Sequence, residues 1–295
     1  MHCVPPICPP QTIFAGEFTS GNMEEVSEET SEVFTDNDQE SAEETEEELS
    51  VFTSESVPEF SNEANVMPAT VNGEQPIEIN LTTPIAPEYS KYYNSRYNCW
   101  IINSGGSYRF NGYGSQTSHP IYINAGFSNV VIYLNNVNIV TDSNSASALH
   151  IESNNAYIYL ENDNYLETRN ETNEKHTLEI DPRSCLTTIN NSSNNNNGSL
   201  TVKSINSHGI YSYSPLIIDG SSVTASSRSG IGIGGKSSNI TVNGGSVIAS
   251  STHGTGIGGE KSNITVNGGS VTASSAHGTD IGGKNSGIII NGGSV

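Results

Sequence analysis

The segment ITVNGGSV at residues 240–247 decides the fold, because it recurs at a fixed interval. The same letters occupy residues 264–271, and IIINGGSV occupies residues 288–295, so the copies start 24 residues apart. A divergent copy, LIIDGSSV, starts one interval earlier at Leu216. Four consecutive units of constant length are typical of a stacked repeat architecture, in which each unit packs only on its neighbours.

The residues within one unit predict a coil of a parallel β-helix. Ile240 and Val242 alternate with Thr241 and form one inward face, while Val247 and Ile257 supply the other inward contacts. Leucine-rich repeats need several leucines per unit, and propeller blades need about 40 residues or more, so both are excluded. We therefore expect an all-β fold, in which equivalent side chains of successive coils stack about 4.8 Å apart.

This stacking predicts a ladder of side-chain amides along the helix axis. Asn243, Asn267 and Asn291 occupy equivalent positions in successive units, and Asp219 precedes them in the divergent copy. Amides stacked in this way can hydrogen-bond from coil to coil.

One motif within the repeats points to a different function and is rejected. Residues 230–237, GIGIGGKS, match the P-loop pattern GxxxxGK[ST]. A P-loop lies between a strand and a helix whose N-terminus holds the phosphates, and no helical period follows here. Lys236 also corresponds to Glu260 one unit later. We therefore predict no nucleotide binding.

Composition divides the chain into two parts. Residues 1–75 comprise an acidic segment rich in Glu, Ser and Thr, followed by a linker, and are predicted to be disordered because they have too few apolar residues to offset the entropy lost on ordering. Residues 76–295 are predicted to form the β-helix, with less regular coils over 76–215 and the four repeats over 216–295. Because the chain stops within a coil, without a polar capping unit, we expect it to be a fragment of a longer protein or to have lost repeats.

The charge balance argues against several partners. The net charge is −21, with only 11 Lys and Arg residues in 295, which argues against binding nucleic acid or an anionic membrane surface. No run approaches the roughly 18 apolar residues of a membrane span, so we predict no membrane insertion. The N-terminus shows no recognisable signal peptide.

Four tyrosines are the candidate binding residues. If the aliphatic residues of YIYL (157–160) point inward, Tyr157 and Tyr159 point outward. The same alternation exposes Tyr133 in VVIYL and Tyr122 in IYI. Outward aromatics on neighbouring coils would form a flat apolar strip with hydroxyl groups, which suits pyranose rings. Alternatively, these tyrosines pack beneath a loop or the linker.

Carboxylates are the candidate metal ligands. The folded region has many of them, but no DD, DxD or EF-hand spacing. Glu161 and Asp163, which follow the YIYL strand, could bind calcium together with neighbouring asparagine oxygens. Because no pattern selects an acid–base pair, we predict that the protein is not an enzyme.

Several motifs in the less regular coils resemble a bacterial carbohydrate-binding family of secreted and cell-surface proteins, which has a right-handed parallel β-helix similar in shape to pectate lyases. The resemblance covers roughly residues 97–225, and the GIGG repeats are similar to those that follow such domains. It rests on GSYRFNG (106–112), VIYLNNVNI (131–139), YIYL (157–160), LTV (200–202) and HGI (208–210).

The resemblance implies non-catalytic binding of a plant cell-wall polysaccharide, such as acidic galacturonan or cellulose, with calcium as a bound ion and an extracellular or cell-surface location. The sequence departs from the family in its asparagine run at 194–197 and in the scarcity of Asp next to the His-Gly dipeptides. The resemblance therefore assigns no individual calcium ligand in this sequence. Two alternatives remain: a structural or adhesive surface stalk that binds no sugar, and a pectate-type polysaccharide lyase.

Overall fold

The structure is a computed structural model that describes residues 75–83, 87–170, 175–181, 184, 186–191 and 198–295. The predicted disordered segment, residues 1–75, lies outside this range except for Gln75. The asparagine run at 194–197 also lies outside it.

The chain winds as a right-handed parallel β-helix, which confirms the predicted fold. The strands belong to three sheets. With one antiparallel exception, at Tyr93–Asn94, strands of the same sheet pair in parallel from coil to coil, because side-by-side coils satisfy each other's backbone groups. The described residues form no α-helix and one 3₁₀ turn, at Pro87–Tyr89. None of them forms a helix with the length and hydrophobicity needed to cross a membrane.

Sheet A has nine strands: β1 (Ile77–Asn80), β4 (Gly106–Asn111), β7 (Val130–Asn135), β10 (Asn155–Glu161), β13 (Leu186–Asn191), β16 (Leu216–Asp219), β19 (Ile240–Val242), β21 (Ile264–Val266) and β23 (Ile288–Ile290). Sheet B has seven: β2 (Tyr93–Asn94), β3 (Cys99–Ile102), β6 (Ile121–Asn124), β9 (Leu149–Glu152), β12 (Leu178–Ile180), β15 (Ile210–Ser212) and β18 (Ile233–Gly234). Sheet C also has seven: β5 (Gln116–Thr117), β8 (Asn138–Thr141), β11 (Asp163–Thr168), β14 (Ser199–Ser204), β17 (Ser222–Ser227), β20 (Ser246–Ser251) and β22 (Ser270–Ser275).

The core is a narrow column of aliphatic side chains between the three sheets. In sheet A, one column consists of register partners in consecutive coils, all fully buried: Ile132, Ile158, Ile189, Ile218 and Val242. Burying one such side chain contributes roughly 1.5–3 kcal/mol. A few inward residues per coil therefore suffice, which explains how a chain with 33% hydrophobic residues builds this fold.

The C-terminal coils have a constant length. Leu216, Ile240, Ile264 and Ile288 are consecutive register partners in sheet A. The predicted amide ladder is present on their outer side: Asn267 Nδ2 donates to Asn243 Oδ1 at 2.9 Å, across an interval of 24 residues. Asn291 Nδ2 likewise donates to Asn267 Oδ1 at 2.7 Å. The ladder is thus confirmed for these three residues.

The GIGIGGKS segment forms β18 and the turn that leads into strand β19. Lys236 Nζ in this turn lies 3.4 Å from Glu260 Oε2 of the next coil. The lysine therefore faces a carboxylate, and the segment has neither the strand–helix context nor the free cation of a phosphate site.

Aromatic residues pack on the first coil of the helix. Strand β2 pairs antiparallel with β3, which brings Tyr93 opposite Trp100. The rings of Tyr93 and Tyr89 lie 5.0 and 6.1 Å from the Trp100 ring, and Trp100 is fully buried.

Candidate functional site

Three of the four predicted tyrosines lie together on the outer face of sheet A. Tyr133 in β7 and Tyr159 in β10 are register partners, and Tyr157 precedes Tyr159 by one outward position. The alternating residues Ile158 and Leu160 are fully buried in the core. The outward direction of the three side chains, predicted from alternation, is therefore confirmed. We call Tyr133, Tyr157 and Tyr159 the tyrosine cluster.

The expected open, flat strip is wrong for Tyr133 and Tyr159, which are only 6% exposed. Their rings stack 5.1 Å apart with an interplanar angle of 17°. The guanidinium carbon of Arg109 lies 4.6 Å from the centre of the Tyr133 ring. Coil spacing causes this arrangement, because side chains in one register row are only about 4.8 Å apart and their rings must stack. Tyr157 is half-buried and is the most accessible member of the cluster.

Burial affects the chemistry of the tyrosine hydroxyls. Desolvation, together with the smaller effect of the neighbouring Tyr133 and Tyr157 phenols, raises the pKa of Tyr159 to about 12. Desolvation also raises the pKa of Tyr133. Both hydroxyls are therefore protonated at neutral pH, and each can donate as well as accept a hydrogen bond.

The predicted calcium ligands are not arranged as a pair. Arg109 binds both carboxylate oxygens of Glu161, through Nε to Oε2 at 3.0 Å and Nη2 to Oε1 at 3.1 Å. Asp163 begins strand β11 in sheet C, and its Oδ1 accepts a hydrogen bond from Ser199 Oγ at 2.7 Å. A calcium ion at Glu161 would have to displace the guanidinium, so calcium binding by these two residues stays a prediction.

The fourth predicted residue, Tyr122, lies on sheet B instead of sheet A. It is 5% exposed and packs against Cys99 and Ala146. Its ring lies 5.7 Å from that of His150, its register partner in β9. A single strip of four tyrosines is therefore wrong, because strands β6 and β7 of the same coil belong to different sheets.

Tyr122 instead borders a polar face that sequence reasoning missed. We call His150, Glu152, Glu179 and Asp181, on the outer side of sheet B, the acidic face. His150 and Glu179 are register partners, and Asp181 follows Ile180, the partner of Ile151. His150 Nδ1 lies 3.8 Å from Glu179 Oε2, and His150 Nε2 lies 3.8 Å from Asp181 Oδ2.

Glu179 is the most strongly held carboxylate of the acidic face. It is 8% exposed, accepts a hydrogen bond from Ser147 Oγ at 2.5 Å, and lies 3.7 Å from Lys175 Nζ. Burial alone would raise the pKa of Glu179, but His150, Ser147 and Lys175 outweigh it and lower that pKa to about 2. Glu179 is therefore ionised at neutral pH and fixed in place.

Aromatic rings continue the acidic face toward the next coils. Tyr211 in β15 is the register partner of Glu179, and the neighbouring Tyr213 is 41% exposed. The rings of His176 and His208 lie 4.3 and 4.5 Å from Tyr211. Burial lowers the pKa of His176 to about 4, and burial together with His176 lowers that of His208 to about 3, so both are neutral at pH 7.

The alternation rule that selected the tyrosines could also have found these residues. His150 and Glu152 alternate with buried Leu149 and Ile151, and LEID at residues 178–181 repeats the pattern. The rule gives the outward direction of each side chain. It does not show that β9 and β12 are neighbours, because the connection between them is not of repeat length.

One comparison with known proteins identifies a family for this chain. A family model described as "carbohydrate-binding domain-containing protein" matches residues 97–295, which is well over half of the chain. The match includes the tyrosine cluster, the acidic face and all the C-terminal repeats. No curated protein and no solved structure matches the sequence. The chain belongs to the family of carbohydrate-binding domain-containing proteins.

Proposed function

We propose that the protein is a non-catalytic polysaccharide-binding β-helix located outside the cell or on its surface. The observation that carries this proposal is the family match over residues 97–295, since it spans the β-helix from strand β3 onward. Rigid stacked coils suit such a role, because they present outward side chains in fixed rows along which an extended polymer can lie.

The tyrosine cluster is the proposed sugar contact. Tyr157 offers part of its ring to solvent, while the stacked Tyr133 and Tyr159 offer ring edges and hydroxyl groups. Asn190 is the register partner of Tyr159 in the next coil, and Asp219 is the partner of Asn190. This row thus combines aromatic surface with hydrogen-bonding groups, the combination typical of carbohydrate sites.

The charges around the cluster favour a neutral plant cell-wall polysaccharide, such as cellulose, over galacturonan. Among the described residues, the cation that lies against the cluster is Arg109, which is paired with Glu161 and also with Glu78, whose Oε1 lies 2.7 Å from Nη1. Arg109 is therefore not available as an unpaired cation for a uronate carboxylate. Binding of an acidic polymer here would need a bridging ion such as calcium.

Retention on insoluble cellulose tests the proposed contact. The Tyr157→Ala/Tyr159→Ala double variant should be retained about tenfold less tightly, which corresponds to about 1.4 kcal/mol. Phe127→Ala is the matched control, because Phe127 is a 98% exposed aromatic outside the cluster. It should be retained like the unmodified protein. Unchanged retention of the double variant, with circular dichroism showing an intact fold, would rule out the tyrosine cluster as the contact.

Two further measurements address the alternatives. Incubation with polygalacturonate and calcium should give no ultraviolet-absorbing unsaturated product, whereas such a product would establish a lyase. A glycan array without any binding, at intact fold, would favour a structural or adhesive stalk. Running the array with and without a chelator, and with Glu161→Gln and Asp163→Asn variants, tests the predicted calcium ligands.

A further inference from the structure

We propose that His150, Glu152 and Asp181 of the acidic face bind a divalent transition-metal ion of the zinc type. This site lies on sheet B, whereas the proposed sugar contact lies on sheet A, so it goes beyond the proposed function and does not depend on it.

The three side chains converge because of strand alternation and register. His150 and Glu152 are two residues apart in β9 and point to the same outer side. Pairing of Ile151 with Ile180 then brings Asp181 beside them from the following coil. One potential ligand atom from each residue lies within 4.8 Å of those of the other two. An ion between them would therefore need only small side-chain movements.

The second nitrogen of His150 supplies an independent indication of a metal ligand. Nε2 lies 3.8 Å from Asp181 Oδ2, and Nδ1 lies 3.8 Å from Glu179 Oε2, so a small shift brings Nδ1 within hydrogen-bond distance of Glu179. A metal-binding histidine usually donates its other ring N–H to a carboxylate, which fixes the tautomer and the ring orientation. Glu179 is not one of the three ligands, and Ser147 holds it in place, so it acts as the positioning residue for His150.

The donor set selects the class of ion. Calcium takes six to eight oxygen ligands, whereas zinc and related ions accept an imidazole nitrogen with few carboxylates. One histidine and two carboxylates are three ligands, which leaves a position open for water or another small ligand. All three residues are partly exposed, so an ion can reach the site from solvent.

Calorimetric titration of the full chain, purified without a histidine tag and stripped with a chelator, tests the proposal. Zn²⁺ should bind at one site, and Co²⁺ should give visible absorption bands from the same site. His150→Ala and Asp181→Asn should each weaken zinc binding more than about 100-fold, and Glu179→Gln about 10- to 100-fold. His253→Ala is the matched control, since His253 stacks on His277 in a distant coil and should not matter.

Three results would overturn the proposal: no zinc binding by the unmodified chain, zinc binding unaffected by His150→Ala, or tighter binding of calcium than of zinc at these residues. Circular dichroism of each variant separates loss of the site from loss of the fold. Because no readout involves sugar, failure here leaves the polysaccharide proposal standing, and failure of cellulose retention leaves the metal proposal standing.

Discussion

Arg109 and Glu161 form a two-point ion pair that reaches across the intervening strand of sheet A. Arg109 lies in β4 and Glu161 ends β10, with the ring of Tyr133 in the intervening strand 4.6 Å from the guanidinium carbon. The N–O distances are 3.0 and 3.1 Å, and the side chains are 22% and 11% exposed. The planar guanidinium therefore joins three consecutive coils through a fork of hydrogen bonds and a stacked aromatic face.

Replacing Arg109 with lysine tests this bridge. Lysine keeps the charge but can neither bind both carboxylate oxygens in parallel nor stack as a plane, so Arg109→Lys should lower the free energy of unfolding by about 1–3 kcal/mol. Urea unfolding measures the effect. Arg228→Lys is the control, because Arg228 is exposed, and it should change stability by less than about 0.5 kcal/mol. Equal effects of the two substitutions would contradict the bridge.

The same region shows how far sequence reasoning reaches. A period of two predicts which side chains of 157–160 point outward, because alternation is a local property of a strand. It cannot predict that Tyr159 stacks on Tyr133 or that Arg109 binds Glu161, since both depend on the register between coils. Alternation also cannot predict the low exposure of Tyr133 and Tyr159, because these rings cover one another's faces across coils.

Register becomes predictable where the coil length is constant. The contacts between Asn243, Asn267 and Asn291 follow directly from the repeat interval. His150 Nε2 and Asp181 Oδ2 also lie near each other, at 3.8 Å, but their strands do not follow at the repeat interval, so no constant spacing in the sequence links them. The fold was thus readable from the regular coils, whereas the candidate sites lie in the irregular ones.

Gly244 and Gly245, the two glycines of the Asn-Gly-Gly corner between β19 and β20, should respond differently to substitution. Gly245 has φ of 82°, and a Cβ there would lie 2.1 Å from the Ser221 carbonyl oxygen. At Gly244 the nearest atoms to a Cβ are those of Gly220, at 3.6 Å, which is ordinary contact. Gly245→Ala should therefore cost more than about 2 kcal/mol, and Gly244→Ala less than about 1 kcal/mol.

Amide hydrogen exchange is the appropriate measurement for this pair, since coils of a solenoid can open locally. Gly245→Ala should speed exchange in β19 and β20, which flank the corner, while Gly244→Ala should leave their protection nearly unchanged. Comparable protection in the two variants would show that the corner tolerates a side chain at Gly245 and that its backbone conformation is not required.

The buried histidines His176 and His208 should make stability depend on pH. Burial lowers their pKa values to about 4 and about 3, with the nearby charges of Lys175 and Glu179 acting in opposite directions on His176. In the unfolded chain both titrate near the ordinary value of about 6.5. As the pH falls from 7 toward 4, the unfolded state takes up protons that the native state does not. Stability is therefore full above about pH 7 and should fall toward pH 4 by on the order of 3 kcal/mol for each of the two histidines.

His208→Asn separates this titration from other acid effects. His208 Nδ1 accepts a hydrogen bond from the Ile231 N–H at 2.6 Å, and an asparagine oxygen can replace that acceptor without titrating. The variant should lose about half of the decrease in unfolding free energy between pH 6.5 and pH 4, measured by urea unfolding at several pH values. His277→Asn is the control, because His277 is exposed, and its curve should parallel that of the unmodified chain. If the His208→Asn curve is also parallel, proton uptake by this histidine does not cause the loss of stability in acid.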